Sequence, residues 1–310
     1  MTNKLTIEQF SKLVGSTTDK LGYECIKLFN TLDMTYRIIE GEEEKQLIFD
    51  ILKKIDGDTQ IIGAPERTDV WFKGWEENLN DFRNNKDDES VTPKFIRPNK
   101  VIRLDGKYIE PSNPYFERDY AKLLQLYIYH NFISKDIDNV YEFGCGSGFN
   151  LLNLSEFRKD LNLYGSDFVK SSADLINELG KHHDLNMKGD VFDMIYPDYN
   201  YDIKENSCVF THGAIEQLAG KFEDFINYLL EKKPKICFHI EPTVEFYTND
   251  TIFDYLATKF HRKRGYTEGL VPYLKKLESN KKIKIDVCHR FNFGSMFMEG
   301  YNLVVWRCVD

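Results

Sequence analysis

Three glycines at alternate positions follow a short apolar run that ends in an acid. The acid is Glu142 and the glycines are Gly144, Gly146 and Gly148. Glycine in such a turn lets a ligand approach the backbone without meeting a Cβ atom. A dinucleotide-binding turn would have the spacing G-x-G-x-x-G, but its third glycine position is Phe149 here. An acid so close to the turn would repel a pyrophosphate, so the pattern favours a ligand that carries cationic groups and no phosphate.

A histidine and a glutamate follow a later apolar run. His212 ends the strand-like residues 207–212, and Glu216 lies four residues further on. If a helix begins near Gly213, one turn brings the carboxylate within reach of the imidazole and can orient it. We interpret His212 as a general base and Glu216 as its partner. The alternative is a structural histidine that lines the site or caps the helix.

Polar and aromatic side chains follow the next apolar run and the segment beyond it. We expect Glu241, Tyr247 and Arg262 to bind a substrate, with His261, Arg264 and Tyr266 in the same stretch. This set suits a small, polar, hydroxylated molecule, with a sugar or a nucleotide-linked sugar as the first expectation. An amine attracted by Glu216, Glu241 and Glu245 is the alternative.

Strands alternate with helices from about residue 115 onwards, which predicts a parallel sheet with helices on both faces. The last two strand-like runs, residues 282–290 and 301–309, are separated by a turn near Gly294 to Gly300. That turn is too short for a helical crossover, so the final strand should run in the reverse direction. One amphipathic helix is expected over residues 215–230.

Residues 1–114 are expected to form a mainly helical region that caps the substrate site, and residues 115–310 the main domain. Thr6 and Gln9 have the spacing of a capping box, and residues 94–104 could form short strands. Trp71 and Trp75 are expected on a helix that docks its aromatic face on the main domain. The alternative is that this helix is part of a substrate lid.

The region from residue 115 to residue 309 resembles the class I S-adenosylmethionine-dependent methyltransferases, on three motifs in order. These are "YEFGCGSGFN", "LYGSD" and "MKGDVFDM". The resemblance implies a Rossmann-like, seven-stranded, mostly parallel sheet with a reversed final strand. It also implies that S-adenosylmethionine is the cofactor, bound by Glu142, Gly144, Gly146, Gly148, Asp167, Asp190 and Val191. Asp167 would hold the ribose and Asp190 the adenine amine. Asp167 could instead only cap a helix, and Asp193 is the alternative to Asp190.

The activity expected from this resemblance is methyl transfer to a hydroxyl group, with N-methylation of a small amine as the alternative. A non-catalytic protein that keeps the cofactor fold is a further alternative. No DPPY or NPPY tetrapeptide follows residues 207–212, so the signature of amide and base N-methylation in nucleic-acid enzymes is missing.

The bulk composition argues against several classes of partner. The 310 residues carry a net charge of −9, which disfavours nucleic acid because phosphate binding needs clustered Lys and Arg. Six scattered cysteines without metal-type spacing predict free thiols, no metal site and a reducing, cytoplasmic location. The sequence contains neither a signal peptide nor a run long enough to span a membrane, so a soluble protein with a small-molecule substrate is expected. The oligomeric state is left open.

Overall fold

The structure is a computed structural model that describes residues 2–62, 65–93, 98, 101–248 and 250–309. The N-terminal part combines four helices with four strands. In chain order its elements are β1 (Thr2–Lys4), α1 (Ile7–Leu13), α2 (Tyr23–Phe29), β2 (Thr35–Ile38), α3 (Glu42–Asp56), α4 (Pro65–Asn85), β3 (Ile102–Leu104) and β4 (Lys107–Pro111), with 3₁₀ turns at Thr18–Lys20 and Asp88–Val91.

The remaining elements alternate as expected. They are α5 (Phe116–Phe132), β5 (Asn139–Phe143), α6 (Phe149–Phe157), β6 (Asn162–Asp167), α7 (Lys170–His182), β7 (Met187–Val191), β8 (Ser207–His212), α8 (Glu223–Lys232), β9 (Ile236–Glu241), α9 (Ile252–Arg264), α10 (Leu270–Ser279), β10 (Ile283–His289), β11 (Phe293–Ser295) and β12 (Asn302–Cys308), with 3₁₀ turns at Ile215–Leu218 and Val244–Phe246. None of the helices in the described part of the chain is long and apolar enough to span a membrane.

The main sheet has seven strands in the order β10-β12-β9-β8-β5-β6-β7. Strands β5 to β9 pair in parallel, and β12 is antiparallel to both β9 and β10. The predicted fold class, including the reversed final strand, is confirmed. Because the parallel strands point the same way, their carboxyl ends meet at one edge of the sheet, where ligands bind in this type of fold.

Helices cover both faces of the sheet, so β5 is buried throughout. Val140 joins the hydrophobic core that includes residues of α5, α6 and α7. Its neighbours Tyr141 and Phe143 join the opposite core, with residues of α8 and α10. This alternation sets which residues at the strand end can face a ligand. All six cysteines are free thiols, as predicted.

The prediction of a single amphipathic helix over residues 215–230 is wrong. The segment forms a 3₁₀ turn at Ile215–Leu218 and then α8. Between them Ala219 and Gly220 both have positive φ, at 50° and 80°, which a continuous right-handed helix does not accommodate. The apolar spacing is preserved across the break, and for this reason the pattern alone resembles one helix.

A second, antiparallel sheet has the order β1-β2-β4-β3-β11. The expectation of a mainly helical N-terminal region therefore omits most of its strands. Strand β3 falls in the segment 94–104, of which residues 94–97, 99 and 100 lie outside the described residues. Strand β11 comes from the C-terminal half, so this sheet joins both parts of the chain. The predicted capping box of Thr6 and Gln9 is confirmed.

A buried ionic cluster fixes the loop that follows β11. Arg290 pairs with Asp254 at 2.6 Å and bonds Glu299 at 2.9 Å through its Nη2 atom. Arg103 on β3 is fully buried and donates to the backbone carbonyl oxygens of Phe253, at 2.8 Å, and Met296, at 3.3 Å. Charged groups buried in this way must be paired, so both arginines hold residues 295–300 in one position.

We expect Arg290→Met to lower the free energy of unfolding by about 3–5 kcal/mol, because it leaves two buried carboxylates without their cation. Urea unfolding measures the loss. The control is Arg307→Met, whose arginine pairs with Asp286 at the surface and should cost less than about 1 kcal/mol. Equal effects for the two variants would contradict the role given to Arg290.

Candidate active site

The glycine turn between β5 and α6 is in close contact with its surroundings. Gly144, Gly146 and Gly148 have φ values of 73°, 52° and 80°, which L side chains rarely adopt. A Cβ atom on Gly144 would lie 2.4 Å from the Cβ of Ala214, and one on Gly148 would lie 2.4 Å from the Cδ1 of Ile176. These two glycines therefore allow the turn to pack against the segment after β8 and against α7.

The middle glycine faces a tryptophan. A Cβ atom on Gly146 would lie 2.7 Å from the ring of Trp75. Trp75 stacks on Trp71 with ring centroids 5.5 Å apart and planes inclined by 19°. These tryptophans therefore dock α4 directly over the glycine turn, a position that fits both a docked helix and a substrate lid.

Glu142 lies beneath the turn and is fully buried. Its Oε1 accepts a hydrogen bond of 2.6 Å from the side-chain amide of Asn150, whereas its Oε2 has no hydrogen-bond partner among the described residues. Burial raises the pKa of this carboxyl to about 8, and the nearby Asp167 adds to the rise. An acid with a spare buried oxygen is suited to receive a cationic donor from a ligand.

Asp167 ends β6 and ties the turn to α7. Its Oδ2 accepts from the backbone N–H of Gly146 and its Oδ1 from that of Val169, both at 3.0 Å. Burial raises its pKa to about 6, although these bonds oppose the rise. The bond to Val169 forms a local turn before α7 and is not a helix cap, because Val169 is itself the N-cap residue and α7 has no side-chain cap. The same carboxylate lines a cavity.

That first cavity, of about 310 Å³, lies beyond the carboxyl ends of β5, β6 and β7. Asp167, Phe168, Asp193 and Met194 line it. Its size and its position at the sheet edge suit one half of a cofactor.

Two residues that the resemblance assigns to the cofactor lie away from this cavity, and their role stays a prediction. Asp190 and Val191 do not line this cavity. Asp190 is still within the sheet, paired in register with Ser166, and its side chain accepts from Tyr201 and pairs with Lys188 at 3.0 Å. The cavity lies past the strand end, so Asp193, the alternative named from the sequence, is the acid that lines it.

A second cavity, of about 370 Å³, lies on the other side of the tryptophans. Its walls are mostly aromatic, with a few polar groups among them. The aromatic side chains are Trp71, Trp75, Phe149, Phe260, Tyr266, Phe297 and Tyr301, and the polar ones include Glu117, Asn150, His212, Glu216 and Arg264. Lining residues from α4, α5, β8 and the loop after β11 thus come together around one space.

His212 lines the second cavity at the end of β8, as its predicted role requires. Its ring meets that of Tyr301 edge to face at 5.6 Å, and its Nδ1 has no hydrogen-bond partner among the described residues. Burial lowers the pKa of His212 to about 4, so the imidazole is neutral at physiological pH. Glu216 lines the same cavity, but it does not bond this Nδ1. His212 still belongs to β8 and the 3₁₀ turn begins only at Ile215, so the two residues do not share one turn of a helix.

Glu241 does not line either cavity, and its role as a substrate ligand stays a prediction. Its Oε1 accepts from the hydroxyl of Thr211 at 2.7 Å and from the backbone N–H groups of Ala214 and Ile215, both at 3.1 Å, and its Oε2 accepts from the N–H of Glu216 at 3.2 Å. Burial raises its pKa to about 7. The carboxylate therefore caps the 3₁₀ turn and holds the segment that follows His212.

The chain of hydrogen bonds continues across the sheet. His239 Nδ1 lies 2.9 Å from the Thr211 hydroxyl, and the indole N–H of Trp306 donates to His239 Nε2 at 3.0 Å. Since Thr211 gives its proton to Glu241, it accepts from His239, which fixes the Nδ1–H tautomer. All four side chains are buried, so each polar group has its partner inside the protein.

Tyr247 and Arg262 are also absent from the cavity walls, and their role in substrate binding stays a prediction. The hydroxyl of Tyr247 accepts from the N–H of Glu299 at 2.9 Å and so helps to hold the loop after β11. Arg262 is exposed and pairs with Glu268 at 3.2 Å. Helix α9 instead turns Arg264 towards the second cavity, where Tyr266 joins it.

Several lining residues were not predicted from the sequence. Glu117 is a buried acid at the start of α5, on an otherwise apolar face, and that contrast is a signal that could have identified it. Phe297 and Met298 lie in a loop without any periodic pattern. Within the described residues there is no cluster of three or more His, Cys, Asp or Glu side chains that could hold a metal ion.

We expect the stability of the ligand-free protein to depend on Glu142 between about pH 5 and pH 8. The unfolded chain releases this proton near pH 4.5 and the folded one only near pH 8, so stability falls as the pH rises through this window. Glu142→Gln keeps an acceptor for Asn150 and does not titrate. Relative to the wild type, the free energy of unfolding of the variant should rise by about 1 kcal/mol per pH unit in this window, as measured by urea unfolding. Parallel pH profiles for the two proteins would contradict the buried, protonated state of Glu142.

Comparisons with known proteins give likeness only at the level of structure. No family model matches the chain, and no curated protein matches it. Among solved structures, it is similar to the [4+2]-cyclase SpnF, with 10% identity, a TM-score of 0.49 and coverage of 76% of this chain and 94% of the other. It is also similar to the methyltransferase domain of bacterial CtHen1, with 16% identity, a TM-score of 0.45 and coverage of 61% of this chain and 99% of the other.

A third similar structure is the O-methyltransferase NcsB1 from neocarzinostatin biosynthesis, with 13% identity, a TM-score of 0.40 and coverage of 64% of this chain and 59% of the other. Likenesses of this size establish neither a substrate nor an activity for this chain. The strand order β7-β6-β5-β8-β9-β12-β10, the reversed β12 and the glycine turn after β5 are features of the chain itself. They give it the fold of the class I S-adenosylmethionine-dependent methyltransferases.

Proposed function

We propose that the protein is a methyltransferase that uses S-adenosylmethionine to methylate a hydroxyl group of a small polar acceptor, with a sugar or a nucleotide-linked sugar as the first expectation. The observation that carries this proposal is the pair of cavities that meet beside the glycine turn. One is lined by acids at the ends of β6 and β7, and the other contains a neutral histidine.

The residues present fit the cofactor. Glu142 has a buried oxygen without a partner among the described residues, and an ammonium group is the kind of donor that would satisfy it. Asp167 and Asp193 line the first cavity and would hold the ribose hydroxyls and the adenine amine. Each already accepts a backbone N–H, from Val169 and Ile195 respectively, but a carboxylate has about four acceptor positions and keeps capacity for a ligand.

The second cavity suits the acceptor. Flat aromatic walls with a few polar groups are typical of sites for ring-shaped small molecules. The bound cofactor would supply an electrophilic methyl group on a sulfonium. His212 would accept the proton that the hydroxyl loses as its oxygen is methylated, because burial keeps the imidazole neutral. The net charge of −9 remains unfavourable for a polyanionic acceptor.

The N-terminal region would act as the cap over this acceptor. Helix α4 contributes Trp71 and Trp75 to both cavities. The second sheet contributes β11 and the loop after it, with Ser295, Phe297 and Met298 in the cavity wall. We infer that acceptor specificity depends on this second layer more than on the main sheet.

Cofactor binding is tested by a matched pair of acids. Asp193→Ala should weaken the affinity for S-adenosylmethionine by about 1.5–3 kcal/mol, the value of a hydrogen bond to a charged group. Asp190→Ala should leave the affinity nearly unchanged, because Asp190 is engaged with Tyr201 and Lys188 outside the cavity. Calorimetric titration measures both. If Asp190→Ala weakens binding more than Asp193→Ala does, Asp190 is the residue that binds the adenine amine. If the wild type does not bind S-adenosylmethionine, the proposed function is wrong.

Transfer to a hydroxyl is tested at His212. We expect His212→Ala to lower methyl transfer about 10²–10⁴-fold while cofactor affinity is retained, because only the base is lost. The wild-type rate should be flat from about pH 6 to 8, since a folded pKa of about 4 places the histidine's titration below that range. Labelled methyl transfer to a panel of sugars, nucleotide sugars and amines measures the rate.

The control for this test is His183→Ala, because His183 pairs with Asp88 at the protein surface, away from both cavities. If His212→Ala stays within a few-fold of the wild type, the assignment of a base is wrong, and an amine acceptor becomes the better hypothesis. Binding of the cofactor without transfer to any acceptor in the panel would favour a non-catalytic protein.

A further inference from the structure

Helix α4 is attached firmly at one end and lies over the site at the other. Near its C-terminus Phe82 is fully buried and packs edge to face on His182, and Arg83 pairs with Glu178 of α7 at 2.6 Å. Asn78 donates to the backbone oxygen of Ser90 at 2.7 Å. These contacts fix the helix on α7, so the position of the tryptophans one to three turns earlier is set by packing elsewhere.

The two tryptophans form part of the boundary between the cavities. Five residues line both of them, and these residues therefore surround the passage from one to the other: Trp71, Trp75, Gly144, Gly213 and Gln217. None of these five described residues carries a charge. A cation at this passage meets two stacked indole rings, an amide and glycine backbone.

The proposed reaction places a permanent cation at this passage. The methyl group must leave the cofactor on one side and reach the acceptor on the other, so the sulfonium has to lie where the cavities meet. Glu142 lies beneath the glycine turn and lines neither cavity, while Asp167 and Asp193 line only the first cavity and are not among the five residues shared by both. An aromatic face within about 6 Å attracts a cation through its quadrupole, and tryptophan does so most strongly.

We propose that Trp75, supported by Trp71, recognises the positive charge of the sulfonium by a cation–π interaction. The inference rests on the proposed function, because it assumes that S-adenosylmethionine binds here. Trp75 is the residue in direct contact with the glycine turn, since its ring occupies the space in which a Cβ of Gly146 would lie. Trp71 stacks on Trp75 and holds its plane. The interaction also distinguishes the cofactor from its product, because S-adenosylhomocysteine has a neutral thioether in place of the sulfonium.

The test compares the two ligands on the same variants by calorimetry. Trp75→Leu should raise the Kd of S-adenosylmethionine about 3- to 30-fold more than that of S-adenosylhomocysteine. Trp75→Phe, which keeps an aromatic face, should change the ratio of the two Kd values by less. Both Kd values of a variant are measured on the same protein sample. A lower folded fraction therefore affects both values equally and leaves their ratio unchanged.

Three results would overturn this inference. An equal loss for both ligands would show that Trp75 only packs against the cofactor. A higher affinity of Trp75→Leu for both ligands would show that the Trp75 ring occupies the cofactor's space. Unchanged Kd values for both ligands in Trp75→Leu would show that the charge is recognised elsewhere. If the wild type binds neither ligand, the proposed function itself fails, and that outcome is distinct from the other three.

Discussion

The buried carboxylate of Glu241 is the interaction on which the arrangement of the site depends. It receives three backbone N–H groups of the segment after β8 and the hydroxyl of Thr211 in β8, so four donors are satisfied by one side chain. A carboxylate buried at a helix start is stabilised by such donors, and the donors would be costly to bury without it. His239 and Trp306 extend the same chain of bonds to β9 and β12. The reversed strand is thus connected to the turn that carries the proposed base.

The sequence was sufficient to predict the main sheet and the glycine turn at its edge. Long apolar runs separated by helical patterns specify parallel strands, and the glycine spacing marks the end of β5. Asp167 could be located because it directly ends a strand. Asp190 could not be distinguished from Asp193, because the choice depends on where β7 leaves the sheet, and strand ends are the least certain feature of a sequence pattern.

The second cavity was harder to predict because its lining residues are brought together by tertiary packing. Glu241 and Tyr247 have the residue types expected of a binding site, yet both are used inside the protein. A polar residue after a strand can face a ligand or cap the next turn, and the sequence pattern is the same in both cases. The short strands of the second sheet have three to five residues each, too few for a clear alternation.

The position of β11 and β12 near residues 293–308 has a consequence for the order of folding. The sheet of β1 to β4 pairs with β11 only after most of the chain has emerged from the ribosome, and β12 must then enter between β9 and β10. Both sheets are therefore completed by the same late segment. Contacts of such long sequence separation form slowly, because loop closure precedes the gain from pairing. Until then β3 and β9 remain open sheet edges, and open edges are templates for pairing with other chains.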